Sequence, residues 1–186
     1  KKVLIVDWDV HHGNGTELIF YRRPDVLYFS THQYPLFPGT GAADDTGDGD
    51  GEGYNVNVPL PAGSGDADYI DAFERILLPV MESYGPELVI VSAGYDPHEA
   101  DPLADMKMTE SGFHALGTLV SKGAGKASIV LLLEGGYSLK HLPSSVEASL
   151  LGLMGDPFGP AGGQKGGRAV ENIKTAVEVQ KKYWRL

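Results

Sequence analysis

Cysteine occurs at none of the 186 positions, which removes disulfides, thiolate zinc sites and thiol nucleophiles together and leaves oxygen and nitrogen as donors for any metal. This usage agrees with a reducing compartment. Long apolar runs are missing too. No stretch approaches the ~18 residues of a membrane span, and no signal-peptide pattern precedes the first apolar segment, so a cytoplasmic protein with no membrane partner is expected. Basic residues are scarce, 15 Lys and Arg against 25 Asp and Glu, for a formal net charge of −10. That balance opposes direct nucleic-acid binding, where phosphates reward clustered cations. It suits either a cationic substrate or solubility. What the chain does have is 42% hydrophobic residues over a length sufficient for one sizeable core, so one domain or a large piece of one is expected.

Apolar β-branched runs alternate with segments of helical spacing. Residues 3–6, 26–30, 54–58, 87–91 and 128–133 read as strands, and residues 67–84 and 109–122 as helices, the second with Thr109 as N-cap. Residues 39–53 are almost entirely Gly, Asp, Thr and Ala and form a polar loop. Its Asp48, Asp50 and Glu52 resemble a calcium loop, but that pattern requires a carboxylate where Pro59 stands. Alternation of this kind predicts βαβ units, an α/β fold with a mainly parallel sheet and helices on both faces.

Chemistry concentrates where strands end. The first run is followed by Asp7-Trp8-Asp9-Val10-His11-His12-Gly13-Asn14-Gly15-Thr16-Glu17. Side chains alternate along an extended segment, so Asp7, Asp9 and His11 would share one side and converge on one cation or two adjacent ones. Ala93-Gly94-Tyr95-Asp96-Pro97-His98 and Gly135-Gly136-Tyr137 follow two further strands. Ligands in open α/β sheets bind beyond these carboxyl ends. Two carboxylates and an imidazole would leave positions open on Zn²⁺ for water and substrate; the same donors suit Fe²⁺, Co²⁺ or Mn²⁺. His98 beside Asp96 repeats the Asp-x-His spacing, which leaves an arginase-type two-metal site in play, although a histidine after proline in a polar loop is more often exposed. His32, His114 and His141 lack an acidic companion at ligand spacing and read as structural. Gly13-Asn14-Gly15 lacks the third glycine of a dinucleotide loop and the lysine of a phosphate loop.

Residues 7–16, Phe37-Pro38-Gly39-Thr40-Gly41, Tyr54 to Leu60, Ser92-Ala93-Gly94-Tyr95-Asp96 and Glu134-Gly135-Gly136-Tyr137 together resemble the zinc-dependent histone deacetylases. Trp8, Asn14 and the Glu134-Gly-Gly-Tyr form resemble the class II branch and its bacterial deacetylase-like amidohydrolases. The tail Lys181-Lys182-Tyr183-Trp184-Arg185 is similar to the end of class II catalytic domains. The resemblance implies an arginase/deacetylase-like fold, with Asp9, His11 and Asp96 as zinc ligands and Tyr137 as the catalytic tyrosine. Asp7 and the Ser30 hydroxyl, with carbonyls of Asp9, His11 and Thr31, would hold a structural K⁺. A second K⁺ would sit at carbonyls of Phe20, Arg23, Val26 and Tyr54. Phe37 would line the acyl-lysine tunnel, Leu103 its rim, and Gly135 and Gly136 would let the backbone approach the substrate. The implied partner is an acetylated lysine side chain or an acetylpolyamine.

Family members also carry a Gly-His-His segment upstream of the aspartate-rich strand, which serves as general base and acid. His11-His12 cannot be that pair if His11 is needed on the metal. Residues 1–186 are therefore expected to be the C-terminal portion of one deacetylase domain, inactive alone. They are also expected to expose an apolar edge beside residues 3–6 through which copies could associate. A catalytically inactive metal-binding scaffold and an arginase-like ureohydrolase are the competing readings.

Overall fold

The structure, a computed structural model, describes residues 1–158 and 167–186. Five strands form one parallel sheet: β1 (Val3–Asp7), β2 (Val26–Gln33), β3 (Asn55–Leu60), β4 (Leu88–Ala93) and β5 (Ser128–Leu133), in the spatial order β3-β2-β1-β4-β5. The chain steps from β1 outward through β2 to β3 and then crosses to β4 on the other side of β1. The loops after β1 and β4 therefore diverge at a topological switch point, where α/β sheets open a crevice.

Strand β1 lies at the centre, hydrogen-bonded on both sides, so the apolar edge expected beside residues 3–6 does not exist there. The sheet's edges are β3 and β5. Of β5, Val130, Leu132 and Leu133 stand 45%, 50% and 62% exposed. Covering what is still exposed of each would be worth roughly 1 kcal/mol, about half the value of burying a whole side chain, so β5, not β1, carries the drive to be covered. Strand β3 continues through Pro59 to Leu60, two residues past the expected end. An edge strand tolerates a residue without an N–H.

The sheet face bearing Leu4, Val6, Leu27, Phe29, Val56, Val58, Val89 and Val91 is fully buried. Against it pack α2 (Asp66–Ala72), α3 (Leu78–Tyr84), α4 (Glu110–Ala124) and α6 (Val170–Gln180), with α5 (Leu142–Met154) lying on α4. Phe73 sits at the middle of this layer, edge-on to Phe29 and tilted against Trp8. The opposite face holds a small cluster of Ile5, Val26 and Tyr28 covered by Phe20 of α1 (Asn14–Phe20).

The helix expected over 67–84 is broken by a π-helical turn, Phe73–Leu77. Pro79 lacks the N–H that would bond the carbonyl four residues back and its ring crowds that carbonyl, so the preceding turn widens. Thr109 does occupy the N-cap position of α4 without capping it. Its hydroxyl and N–H both donate to Asp66, at 2.6 and 2.8 Å. No helix among the described residues is long and apolar enough to cross a membrane.

Candidate metal centre

Beyond Asp7 the chain does not stay extended. Asp7 Oδ1 accepts the N–H of Asp9 at 3.1 Å, and Asp9 Oδ1 accepts that of His11 at 2.8 Å. Each aspartate thus bends the backbone two residues on. Trp8 and Val10 go into the core, fully buried, which turns Asp9 and His11 toward the crevice. From the end of β4, Asp96 Oδ1 accepts the Val10 N–H at 2.9 Å. From the end of β5, the Gly135 N–H donates to Asp9 Oδ2 at 2.8 Å. A side chain at Gly135 would overlap the Asp96 carboxylate, and one at Gly94 the Asp9 carboxylate. Both glycines are there for close approach.

Asp9, His11 and Asp96 end with ligand atoms within 4.8 Å of one another. His11 Nδ1 lies 3.2 Å from Asp9 Oδ1 and 3.2 Å from Asp96 Oδ2. Asp96 Oδ2 is buried and makes no well-formed hydrogen bond. Burial and the neighbouring Asp9 charge raise the Asp96 carboxyl above its ordinary range. The Asp96 carboxylate 3.2 Å away, more than any other neighbour, pushes the His11 ring up to about 9. Two carboxylates crowded on one imidazole, with an unpartnered buried oxygen aimed between them, fit a cation. Asp7 is not part of this trio. Burial pushes its carboxyl up to about 8 against the hydrogen bond from Tyr28 Oη at 2.9 Å.

Ser30 is paired with Asp7 in the β1–β2 register. Its Oγ lies 2.9 Å from His32 Nδ1, while His32 Nε2 meets the Gly41 carbonyl at 2.9 Å. The carbonyl requires the proton on Nε2, so Ser30 donates to Nδ1 and keeps its oxygen lone pairs. Of the carbonyls expected around a second K⁺, those of Phe20 and Tyr54 already accept the Arg23 and Tyr28 N–H groups. Among the described residues, Asp48, Asp50 and Glu52 form no group able to hold a metal.

A cavity of about 370 Å³ opens here, lined among others by Asp7, Asp9, His11, Glu134, Gly135 and Tyr137. Tyr137 is half exposed, Leu103 is 53% and Phe37 79% exposed. Neither Phe37 nor Leu103 lines the cavity. Gly136 has φ +137, a conformation that favours glycine.

His98 is 3% exposed, not a solvent-facing loop residue. It stacks on His141 at 4.6 Å between ring centres, and both approach Glu110. These three side chains could hold a metal by proximity alone. The tautomer argues against it: His98 Nδ1 accepts the Ala100 N–H at 3.0 Å, so the proton sits on Nε2, the atom facing Glu110, and no lone pair is left there for an ion. The cluster is instead a brace between α4 and α5. Partial burial opposes ionisation of Glu110, yet hydrogen bonds from His141 and Ser144 outweigh it and hold the carboxyl at about 2. A depressed carboxyl stabilises the fold fully above its unfolded-state value near 4.5, and this contribution fades as pH falls toward 2. Glu110→Gln should therefore lower the urea midpoint at pH 6, with the difference from wild type shrinking between pH 4.5 and 2.

The histone deacetylase domain family matches residues 1–153. The chain belongs to the histone deacetylase domain family. Histone deacetylase clr3 of Schizosaccharomyces pombe is 41% identical over 192 residues, a stretch covering 100% of this chain and 28% of that protein. A probable deacetylase of Methanothermobacter thermautotrophicus is 45% identical over 169 residues, covering 90% and 50%. The crystal structure of the HDA15 HD domain superposes with a TM-score of 0.89 at 40% identity, covering 99% of this chain and 51% of that one. The chain thus spans about half or less of the length of these relatives.

For this histone deacetylase domain, spacing alone missed two contacts that hold the candidate site together. One is the Gly135 N–H on Asp9. The other is Asp101, whose carboxylate accepts the Tyr137 N–H at 2.7 Å. The signal for the second was present, since an aspartate before Pro102 in the loop after β4 is placed to accept main-chain N–H groups.

Proposed function

We propose that this chain supplies the metal centre and oxyanion donor of a zinc-dependent deacetylase that hydrolyses the acetyl amide of an acetylated lysine. The observation that carries this reading is the meeting of Asp9, His11 and Asp96 beside Tyr137 at the sheet's switch point. Zn²⁺ held by the trio would polarise the amide carbonyl and make water nucleophilic near neutral pH. The protein does the rest. The N–H groups of His11 and Gly135 fix the Asp9 carboxylate. The Tyr137 hydroxyl donates to the carbonyl oxygen as it gains charge. Desolvation and the charges of Asp96, Asp9 and Asp101 hold that phenol above its ordinary range, which keeps the donor proton in place. A K⁺ beside Asp7 and the Ser30 oxygen would compensate a carboxylate that burial otherwise discourages from ionising. The general base comes from outside residues 1–186. The exposed apolar Phe37 and Leu103 suit the stem of a lysine side chain.

The test is Tyr137→Phe in the native full-length protein, assayed on an acetyl-lysine peptide. Turnover should fall by ~10²-fold or more, the usual loss for one oxyanion donor. Because the ring is half exposed, stability should change by less than about 0.5 kcal/mol. Unchanged turnover would remove Tyr137 from the chemistry. A wild-type protein inert toward acetyl-lysine and acetylpolyamine alike would overturn the reading.

A further inference from the structure

Tyr137 stands in an irregular loop between β5 and α5 with its ring half exposed, so core packing does not fix where its hydroxyl points. The main chain of that loop is held instead. One hold is Gly135 on Asp9. The other is Asp101, only 6% exposed, whose Oδ2 accepts the Tyr137 N–H at 2.7 Å while its Oδ1 accepts the Leu103 N–H at 2.9 Å. The Asp101 N–H in turn donates to the His98 carbonyl at 2.9 Å, a turn that starts two residues beyond Asp96. The carboxylate thus sits on a closed turn anchored to the strand end that carries a metal-centre residue, and it joins that turn to the tyrosine's own peptide.

We propose that Asp101 is a positioning residue whose carboxylate, shared between the Tyr137 and Leu103 N–H groups, sets the Tyr137 hydroxyl over the Asp9–His11–Asp96 centre. The inference rests on the deacetylase reading above, in which that hydroxyl acts on the substrate. A carboxylate suits the task because each of its oxygens takes one N–H. An asparagine of the same shape has one acceptor oxygen and would turn its NH₂ toward the second donor. The two loops would then lose their common anchor while the ring of Tyr137 and the metal trio stay chemically intact.

The test is a double-mutant cycle in the native full-length protein on an acetyl-lysine peptide. Asp101→Asn should lower kcat by about tenfold or more, since small misplacements of a reacting group are costly. KM should stay within about twofold and bound metal should be unchanged. In a Tyr137→Phe background the same substitution should cost less than about twofold, because the hydroxyl it positions is gone. Equal kcat losses in both backgrounds would overturn the inference. So would a raised KM with kcat intact, which would place Asp101 at the rim through Leu103. If Asp101→Asn does not fold at the assay temperature, Asp101→Glu, which keeps both oxygens one methylene too far out, takes its place in the cycle. Amide hydrogen exchange reads the clamp without turnover: protection at Tyr137 and Leu103 should drop in Asp101→Asn. Unchanged protection would overturn the inference even where wild-type activity stands, whereas a wild type without activity would refute the deacetylase reading itself.

Discussion

Asp96→Ala should strip the metal from the protein, and His98→Ala should leave it bound. Asp96 is fully buried with Oδ2 unpartnered and facing His11. Removing it leaves one carboxylate and one imidazole, fewer protein donors than the three a catalytic zinc site uses. His98 is two residues away in sequence, but its Nδ1 lone pair is spent on the Ala100 N–H. Elemental analysis of the purified variants decides between them. Loss of metal in His98→Ala with retention in Asp96→Ala would transfer the ligand role and revive a two-metal reading. The same centre sets a pH dependence. A metal needs the His11 lone pair, and without metal that ring holds its proton up to about 9 because of Asp96. Binding must therefore displace a proton at neutral pH. Affinity measured against a competing chelator should climb about tenfold per pH unit from pH 7 and level off near 9. An affinity flat over that interval would show that His11 is not a ligand.

Much of this was legible because β1, β4 and β5 are short apolar runs that stop at chemistry-bearing residues. The strands run parallel, so their carboxyl ends lie along one side of the sheet. The loops carrying Asp9, Asp96 and Tyr137 could therefore be placed near one another, although β5 itself is largely exposed. The ligand role of Asp96 came from the family resemblance. The bend after Asp7 was not legible. Alternation predicts one row of Asp7, Asp9 and His11, but each aspartate's own oxygen captures the N–H two residues on and turns the chain, which separates Asp7 from the trio. The burial of His98 depends on His141 stacking over it from 43 residues away, a tertiary fact with no local signature. Helix α5 went unmarked for a similar reason. Its fit on α4 is made by glycines: a side chain at Gly117 would meet the Ser149 carbonyl, and one at Gly152 the His114 carbonyl. Close backbone approach of this kind leaves no apolar stripe to read. Strand order was equally silent, since pairing β1 between β2 and β4 is a matter of crossover connections and not of any residue in β1.

Residues 1–186 expressed alone should bind the metal and leave an acetyl-lysine peptide uncut. The reason lies in the histidines. A general base needs an available lone pair within reach of the attacking water. His12 Nδ1 accepts the Thr40 hydroxyl at 2.8 Å, while its Nε2 meets Glu17 Oε2 at 3.1 Å. Burial opposes ionisation of that glutamate, but His12, Asn57 and Asn55 outweigh it and hold its carboxyl below the ordinary range. His32 is spent between Ser30 and Gly41, and burial drives its ring down to about 3. His98 is spent on Ala100. His11 faces the two carboxylates, and neither His114 nor His141 lines the cavity. On the proposed reading, supplying a general base should restore turnover, either in a longer chain carrying an upstream Gly-His-His segment or, more weakly, as added imidazole. The comparison is between residues 1–186 alone and that longer chain on the same peptide at equal metal content. Full activity from 1–186 would mean that one of these histidines leaves its partner during the reaction. His12→Ala, His32→Ala and His98→Ala would then identify it, since only the variant of the working base would lose turnover with metal still bound.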